Sequence, residues 1–379
     1  MTRRPGAQLR VLQVCPRFPP DLGGVETHVA EVCRRLAAAD DLELGVLATD
    51  RTGRLPGRDV TPEGVPVRRV RAYPRTRDFY VAPGLGRTLR SGRWDLVHVQ
   101  GIHTAVPPVA MAAARAAGIP YVVTFHTGGH TSGLRNQLRG VQWKALTPML
   151  RHARRLIAVG RYEQRLFERT TGLDATRFTV IRNGGGLPPL PTGVERVPGR
   201  ILSCGRLEWY KGHHRAVEAL AVLRRSMPEA HLRILGAGPI EGDLRALAAR
   251  LGVADAVTIT FVPPEDRADM ARELAGAAVL LALSDYEAHP VAVMEALALG
   301  LPVVGADVAG IGDLVEDGAV RGVPVGASAG TVARTVADVL TQPGPASPPD
   351  LPTWEQAAER LHGLYRDVLV ADARLGSVS

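Results

Sequence analysis

The chain has 379 residues, 45% of them hydrophobic and 4% aromatic, with a formal charge of +8 and a pI near 9.9. That length accommodates two domains, or three, and the apolar fraction is ordinary for a globular protein. Cys15, Cys33 and Cys204 are too few and too scattered for a disulfide framework or a zinc site. No stretch nears the ~20 apolar residues of a membrane span, and the apolar run 9–15 is broken by Arg10 and followed by Pro16, so it is no secretory leader. The expected location is the cytoplasm.

Short apolar runs alternate with amphipathic stretches. Residues 11–14, 44–48, 65–70, 96–99 and 121–125 read as strands, and 25–38, 106–117 and 134–151 as helices, with a further strand at 178–181. A Pro-rich, aperiodic stretch at 187–193 reads as a linker. The rhythm then restarts, with strands at 201–203, 232–235, 257–261, 278–283 and 302–304. Helices are expected at 216–225, 241–251, 291–299 and 331–340. A second Pro-rich linker, 343–349, precedes a last helix from Trp354 to about Val370. Such alternation predicts α/β architecture with parallel sheets. The domains expected are 1–190, 199–350 and a returning helix in 351–379.

Five places carry chemistry. After the first strand, Gly23, Gly24, Val25 and Glu26 open a helix, and glycines there let backbone N–H groups approach a phosphate. A plain tight turn explains the glycines equally well. In the stretch 205–212, Gly-Arg-Leu-Glu-Trp-Tyr-Lys-Gly, Arg206 and Lys211 follow a strand. Lys211 is one of two lysines, with Lys144, among 46 Lys and Arg residues. A fork and a compact point charge suit a diphosphate, and such cations stabilise a leaving group as its charge grows. The bland alternative is an ordinary basic loop.

Glu287 and Glu295 stand eight residues apart across a strand-to-helix turn with Ala288, His289, Pro290 and Val291 between them. The flanks of Glu295 are apolar almost all round, so it is expected to be buried with a partner. Gly236 and Gly238 form a Gly turn after another strand. In the first half, His126 and Thr127 follow a strand, and His98 and His103 flank the end of a neighbouring one. No H-x-x-H or C-x-x-C pairing suggests a metal. Residues 135–169 carry nine basic side chains against two acidic ones. They read either as a solvated helix face or as a surface for phosphate, an anionic acceptor or membrane headgroups. Nucleic acid is disfavoured, because no aromatics are interleaved with these charges.

In this order the pieces resemble a retaining glycosyltransferase of family 4, whose GT-B architecture sets two Rossmann-like domains facing across a cleft. G-G-x-E is matched at 23–26, G-R-L-x-x-x-K-G at 205–212, G-x-G-P at 236–239 and E-x7-E by Glu287 and Glu295. Trp354 and Tyr365 match the helix that crosses back to the first domain. The resemblance implies that Arg206 and Lys211 neutralise the donor diphosphate and that Gly24 donates to a phosphate oxygen. Glu287 would hold the transferred sugar, Glu295 the ribose, and His126 would lie beside the reacting sugar. Gly23, Gly236, Gly238, Ala288, His289, Pro290 and Val291 would complete the donor site, with Glu26, His103 and Thr127 on the acceptor side.

No cofactor or metal is implied beyond the nucleotide-diphosphate sugar, expected to be UDP-linked. The acceptor would be a small molecule or glycoside, or else a lipid-linked inositol or polyprenyl carrier met at a membrane through residues 135–169. Some positions depart from the pattern. Asn183-Gly184-Gly185-Gly186 lacks the usual following Asp, Ala288 and His289 replace a small residue and an aromatic, and Asp313 stands where Glu is common. These bear on which sugar is taken. A nucleotide-sugar epimerase and a silent sugar-nucleotide binder are the competing readings.

Overall fold

A computed structural model describes residues 8–21, 23–75, 80–127, 133–190, 193–263, 266–342 and 351–376, with the side chains of 133–139, 375 and 376 excepted. The described residues form two compact units. One draws on Met1–Thr127, Gln137–Asn183 and Trp354–Ser379, the other on Gly128–Asn136 and Gly184–Thr353.

The first unit runs β1 (Leu9–Val14), α1 (Gly24–Leu36), β2 (Leu42–Asp50), β3 (Arg58–Val60), β4 (Pro66–Arg71), α2 (Leu85–Ser91), β5 (Leu96–Gln100), α3 (Val106–Ala116), β6 (Tyr121–Thr124), α4 (Gly133–Leu150, of this unit from Gln137 on), β7 (Arg155–Ala158), α5 (Arg161–Thr171) and β8 (Phe178–Val180). Its strands lie in the order β3-β4-β2-β1-β5-β6-β7-β8. Only the β3–β4 pair is antiparallel. The second unit runs β9 (Arg200–Cys204), α6 (His213–Leu223), β10 (His231–Leu235), α7 (Glu241–Arg250), β11 (Val257–Thr260), α8 (Arg267–Ala275), β12 (Val279–Ala282), α9 (Val291–Ala298), β13 (Val303–Ala306), α10 (Ala309–Glu316), β14 (Arg321–Val323) and α11 (Ala329–Thr341). Its sheet, β11-β10-β9-β12-β13-β14, is wholly parallel. Parallel neighbours need crossovers, and the amphipathic helices supply them.

The last helix, α12 (Trp354–Gly376), belongs to the first unit, where Trp354, Ala357 and Tyr365 are fully buried. The linker expected at 343–349 lies outside the described residues. In each sheet the strand order reverses once, at β1/β5 and at β9/β12. Open parallel sheets bind ligands beyond the carboxyl ends of the strands at that reversal. The segments that follow these four strands hold Gly23–Glu26, His103, Arg206–Lys211 and Ser284–Pro290. His126 follows β6, the next strand along.

Every strand and helix expected from periodicity is present, with ends shifted by a few residues. Seven elements were not expected: α2, β3, β7, α5, α8, α10 and β14. The strands are three or four residues long, and α5 buries only Glu163, Phe167 and Thr171. The helix α10 contains Gly310 and Gly312, poor formers in isolation. It needs them for contact, because a β-carbon on Gly310 would sit 1.7 Å from the Ala288 carbonyl oxygen.

Candidate functional site

In the second unit the loops after β9 and β12 meet. Gly212 makes the join, in the left-handed region (φ 74°) and so close that a β-carbon would lie 2.0 Å from the Leu283 carbonyl oxygen. Only glycine satisfies both demands. The Asp285 amide donates to the Tyr210 carbonyl at 2.7 Å. The result is an ion pair between Lys211 Nζ and Glu287 Oε1, both partly buried. Ser284 Oγ donates to the same carboxylate oxygen at 3.2 Å. Burial works to lower the Lys211 pKa, but the Glu287 carboxylate and Tyr210 together outweigh it and hold the ammonium above its ordinary value.

Arg206, on the same loop, is exposed. Its guanidinium donates to the Tyr210 hydroxyl at 2.8 Å and pairs with Glu208 at 2.7 Å. Buried His213 braces that loop from beneath, with Nε2 at 3.2 Å from the Arg206 carbonyl and Nδ1 at 2.9 Å from Ser203 Oγ. Gly236 and Gly238 are positions of close packing. Their β-carbons would meet the carbonyl oxygens of Gly205 at 1.9 Å and Leu207 at 2.5 Å. The turn after β10 therefore presses directly on the cation-bearing loop.

Glu295 is buried, as its apolar flanks imply, and its carboxylate pairs with Arg267 at the start of α8. Pro290 is the cap residue before α9, and Val291 opens the helix. Ala288 and His289 are buried beside it. The N-terminus of α10 abuts this turn, with the Gly310 amide donating to the Glu287 carbonyl at 2.7 Å.

In the first unit, Gly23 caps α1 with an extended backbone rather than a left-handed one. Glu26 folds back beneath Gly23, its Oε2 lying 2.3 Å from where a β-carbon would be. Glu26 is buried and pairs with Arg17 at 2.7 Å. Gly24 differs, for a β-carbon there would meet nothing within 4 Å. Folding imposes no glycine at this exposed helix start.

His126 is buried and takes a positive φ of 51°. Its Nε2 lies 2.7 Å from Gln100 Oε1, and its carbonyl is 3.0 Å from His103 Nε2. Thr127 is bound to Glu163 Oε1 through its amide, at 2.6 Å, and its hydroxyl, at 2.7 Å. Burial, then neighbouring His28, His98 and His103, push the His126 pKa well below the imidazole range. His98 is not a strand-end residue. It is buried within β5, Nδ1 at 2.6 Å from the Tyr365 hydroxyl, and burial lowers its pKa to about 3.

Sequence reasoning missed Arg267, Tyr210, Glu163, Gln13 and Gln100. Arg267 and Glu163 lie in helices that periodicity did not expose, Gln13 sits in a run read only for its apolar neighbours, and Tyr210 and Gln100 lie beside residues read for their cations and histidines. The basic stretch 135–169 is not one helix face, since it spans α4, β7 and α5. The side chains of Arg135 and Arg139 lie outside the described residues. Arg154 pairs with Asp372, and Arg155 donates to the Thr176 carbonyl at 2.6 Å. Among the described residues no helix is long and apolar enough to cross a membrane, and no three His, Cys, Asp or Glu side chains cluster to hold a metal.

A family model described as a glycosyl transferase 4-like domain matches residues 23–184, and one described as glycosyl transferases group 1 matches residues 195–359. Among curated proteins, the chain is 29% identical over 313 residues to the GDP-mannose:cellobiosyl-diphosphopolyprenol alpha-mannosyltransferase of Xanthomonas oryzae, covering 79% of each. It is 29% identical over 379 residues to the D-inositol 3-phosphate glycosyltransferase of Streptomyces scabiei, covering 90% of this chain and 82% of that one. Among solved structures, the sucrose-phosphate synthase of Thermosynechococcus elongatus aligns with a TM-score of 0.75 at 18% identity, over 96% of this chain and 100% of that one. Anabaena HepE in complex with UDP and glucose aligns with a TM-score of 0.70 at 19% identity, over 98% and 100%.

Proposed function

The chain belongs to the family 4 type of glycosyltransferases with the GT-B fold, and on that premise we propose the transfer it performs. It moves a hexose or N-acetylhexosamine from a UDP-linked sugar to a hydroxyl of a small-molecule or glycoside acceptor, such as an aminocyclitol natural product. The anomeric configuration is retained and no metal ion is required. The observation that carries this reading is the ion pair of Lys211 with Glu287, beside Arg206, at the strand-order reversal of the second unit.

A bound diphosphate competes with Glu287 for the Lys211 ammonium. Phosphate oxygens carry more charge than one carboxylate, so Lys211 and Arg206 turn to the diphosphate. Glu287 is then left to accept hydrogen bonds from hydroxyls of the transferred sugar. Glu295 does the same for the ribose, and the Gly24 amide donates to a phosphate oxygen. The bond from the anomeric carbon to phosphate breaks, and the acceptor oxygen bonds to the same face. The acceptor's proton passes to a leaving diphosphate oxygen. Two cations stabilise that group more as its charge grows, which lowers the barrier and not only the ground state.

A second reading has one observation in its favour. The Xanthomonas relative is named for GDP-mannose and a polyprenol-linked acceptor, so a GDP-mannose donor and a lipid-linked acceptor form the alternative. A thermal-shift screen of UDP- and GDP-sugars in EDTA tests both, because a donor raises the melting point by binding the native state. UDP-hexoses are expected to stabilise, and the product's anomeric NMR coupling is expected to match the donor's. Stabilisation by GDP-mannose alone favours the second reading. An inverted product, or turnover abolished by EDTA, contradicts the mechanism. Donor incubated without acceptor is expected to yield no new sugar nucleotide, which separates transfer from epimerisation.

A further inference from the structure

The backbone of His126 is held in a conformation that a β-carbon disfavours, φ 51°. Its carbonyl is fixed by His103 and the next amide by Glu163. Its ring is fixed by Gln100, and there the contact does not stop. Gln100 Nε2 donates to Gln13 Oε1 at 2.9 Å, and Gln13 Nε2 donates to the Tyr365 hydroxyl at 2.8 Å. That hydroxyl lies 2.6 Å from His98 Nδ1, whose Nε2 is 2.7 Å from Thr124 Oγ1. Gln13, His98, Gln100, Thr124 and Tyr365 are all fully buried.

The path has a direction. An amide oxygen only accepts, so His126 Nε2 carries the ring proton and Nδ1 is bare. Tyr365 accepts from Gln13 and donates its own proton to His98 Nδ1, so His98 also carries its proton on Nε2. The links from His126 through Gln100 to Gln13 cannot reverse singly, because two donors or two acceptors would then face each other away from water.

We propose that Tyr365, acting through Gln13 and Gln100, is a positioning residue that sets which nitrogen of His126 bears the proton, and so which nitrogen the ring offers to a sugar hydroxyl. The proposal rests on the reading of His126 as a neighbour of the transferred sugar and adds the means by which the last helix reaches it.

The test is long-range proton–nitrogen correlation on the full chain labelled at histidine, with the His126 signals assigned from His126→Gln. The wild-type chain is expected to show the Nε2–H tautomer at both His126 and His98. In Tyr365→Phe the His126 signals are expected to move toward a tautomer mixture. There, kcat is expected to fall about tenfold while nucleotide affinity stays within about twofold. If melting shows that Tyr365→Phe does not fold, Gln13→Met interrupts the same path and is read in the same way. An Nδ1–H tautomer at His126 in the wild-type chain overturns the proposal, as do His126 signals that neither variant moves. A tautomer that moves with kcat unchanged upholds the path and removes His126 from the sugar.

Discussion

At the scale of single residues, two glycines separate the demands of folding from those of function. Gly310 admits no β-carbon, so Gly310→Ala is expected to cost about 1–3 kcal/mol of stability through overpacking. It should also weaken donor binding by displacing Glu287. Gly24 has open space around it. Gly24→Ala is therefore expected to leave stability unchanged or raise it by up to about 1 kcal/mol, while raising the KM for donor. Denaturant melts with donor titrations check both. A Gly24→Ala chain with wild-type kinetics would remove the phosphate contact. A residue-scale pH effect also follows. Burial lowers the pKa of His28 from the ordinary 6.5 to about 4. The unfolded chain then binds more protons than the folded one between those values. His28 thus favours the folded state fully above pH 6.5, and this contribution is lost as pH falls toward 4, at about 1.4 kcal/mol per pH unit. Urea melts of His28→Gln from pH 7 to 4.5 should show a shallower decline than the wild-type chain. Parallel curves would contradict it.

At the scale of elements, the parts proposed to carry diphosphate chemistry were legible in the sequence, and the parts that hold them were not. The stretch 205–212 announces itself through Lys211 and the flanking glycines, and Glu295 through apolar neighbours that leave no wet face. Arg267 carries no such signal. It opens a nine-residue helix that buries only Ala271 and Leu274, too little for a periodic pattern. Glu163 looks like one more charge among arginines until β6 and α5 bring its carboxylate to Thr127. Both are long-range pairings, which local pattern does not encode. Arg267→Ala is expected to leave the buried Glu295 carboxylate without that partly exposed guanidinium, a loss of about 1–3 kcal/mol. Chemical denaturation measures it, and an unchanged midpoint would show that Glu295 does not depend on Arg267.

At the scale of the whole molecule, the two sheets repeat one device. Each reverses its strand order at one pair of neighbours, β1/β5 and β9/β12, and the loops bearing Gly23–Glu26, His103, Arg206–Lys211 and Ser284–Pro290 follow those strands. Alternating apolar runs implied parallel sheets, but the order of strands is a tertiary property. The chain also ties its end to its beginning, because α12 packs into the first unit with Trp354, Ala357, Leu361 and Tyr365 buried. Burying each large side chain contributes about 1.5–3 kcal/mol, so the helix carries a sum comparable to a domain's net stability. A chain ending before Trp354 is expected to lose the cooperative unfolding transition of the first unit, followed by near-UV circular dichroism. The central claim concerns where a diphosphate is held. Calorimetric titration of UDP in EDTA, at fixed salt, into the wild-type chain and Lys211→Met tests it most directly. Loss of one charge-assisted contact of about 1.5–3 kcal/mol corresponds to an affinity drop of roughly ten- to a hundredfold. Equal affinity in the two chains would contradict a diphosphate gripped by Lys211.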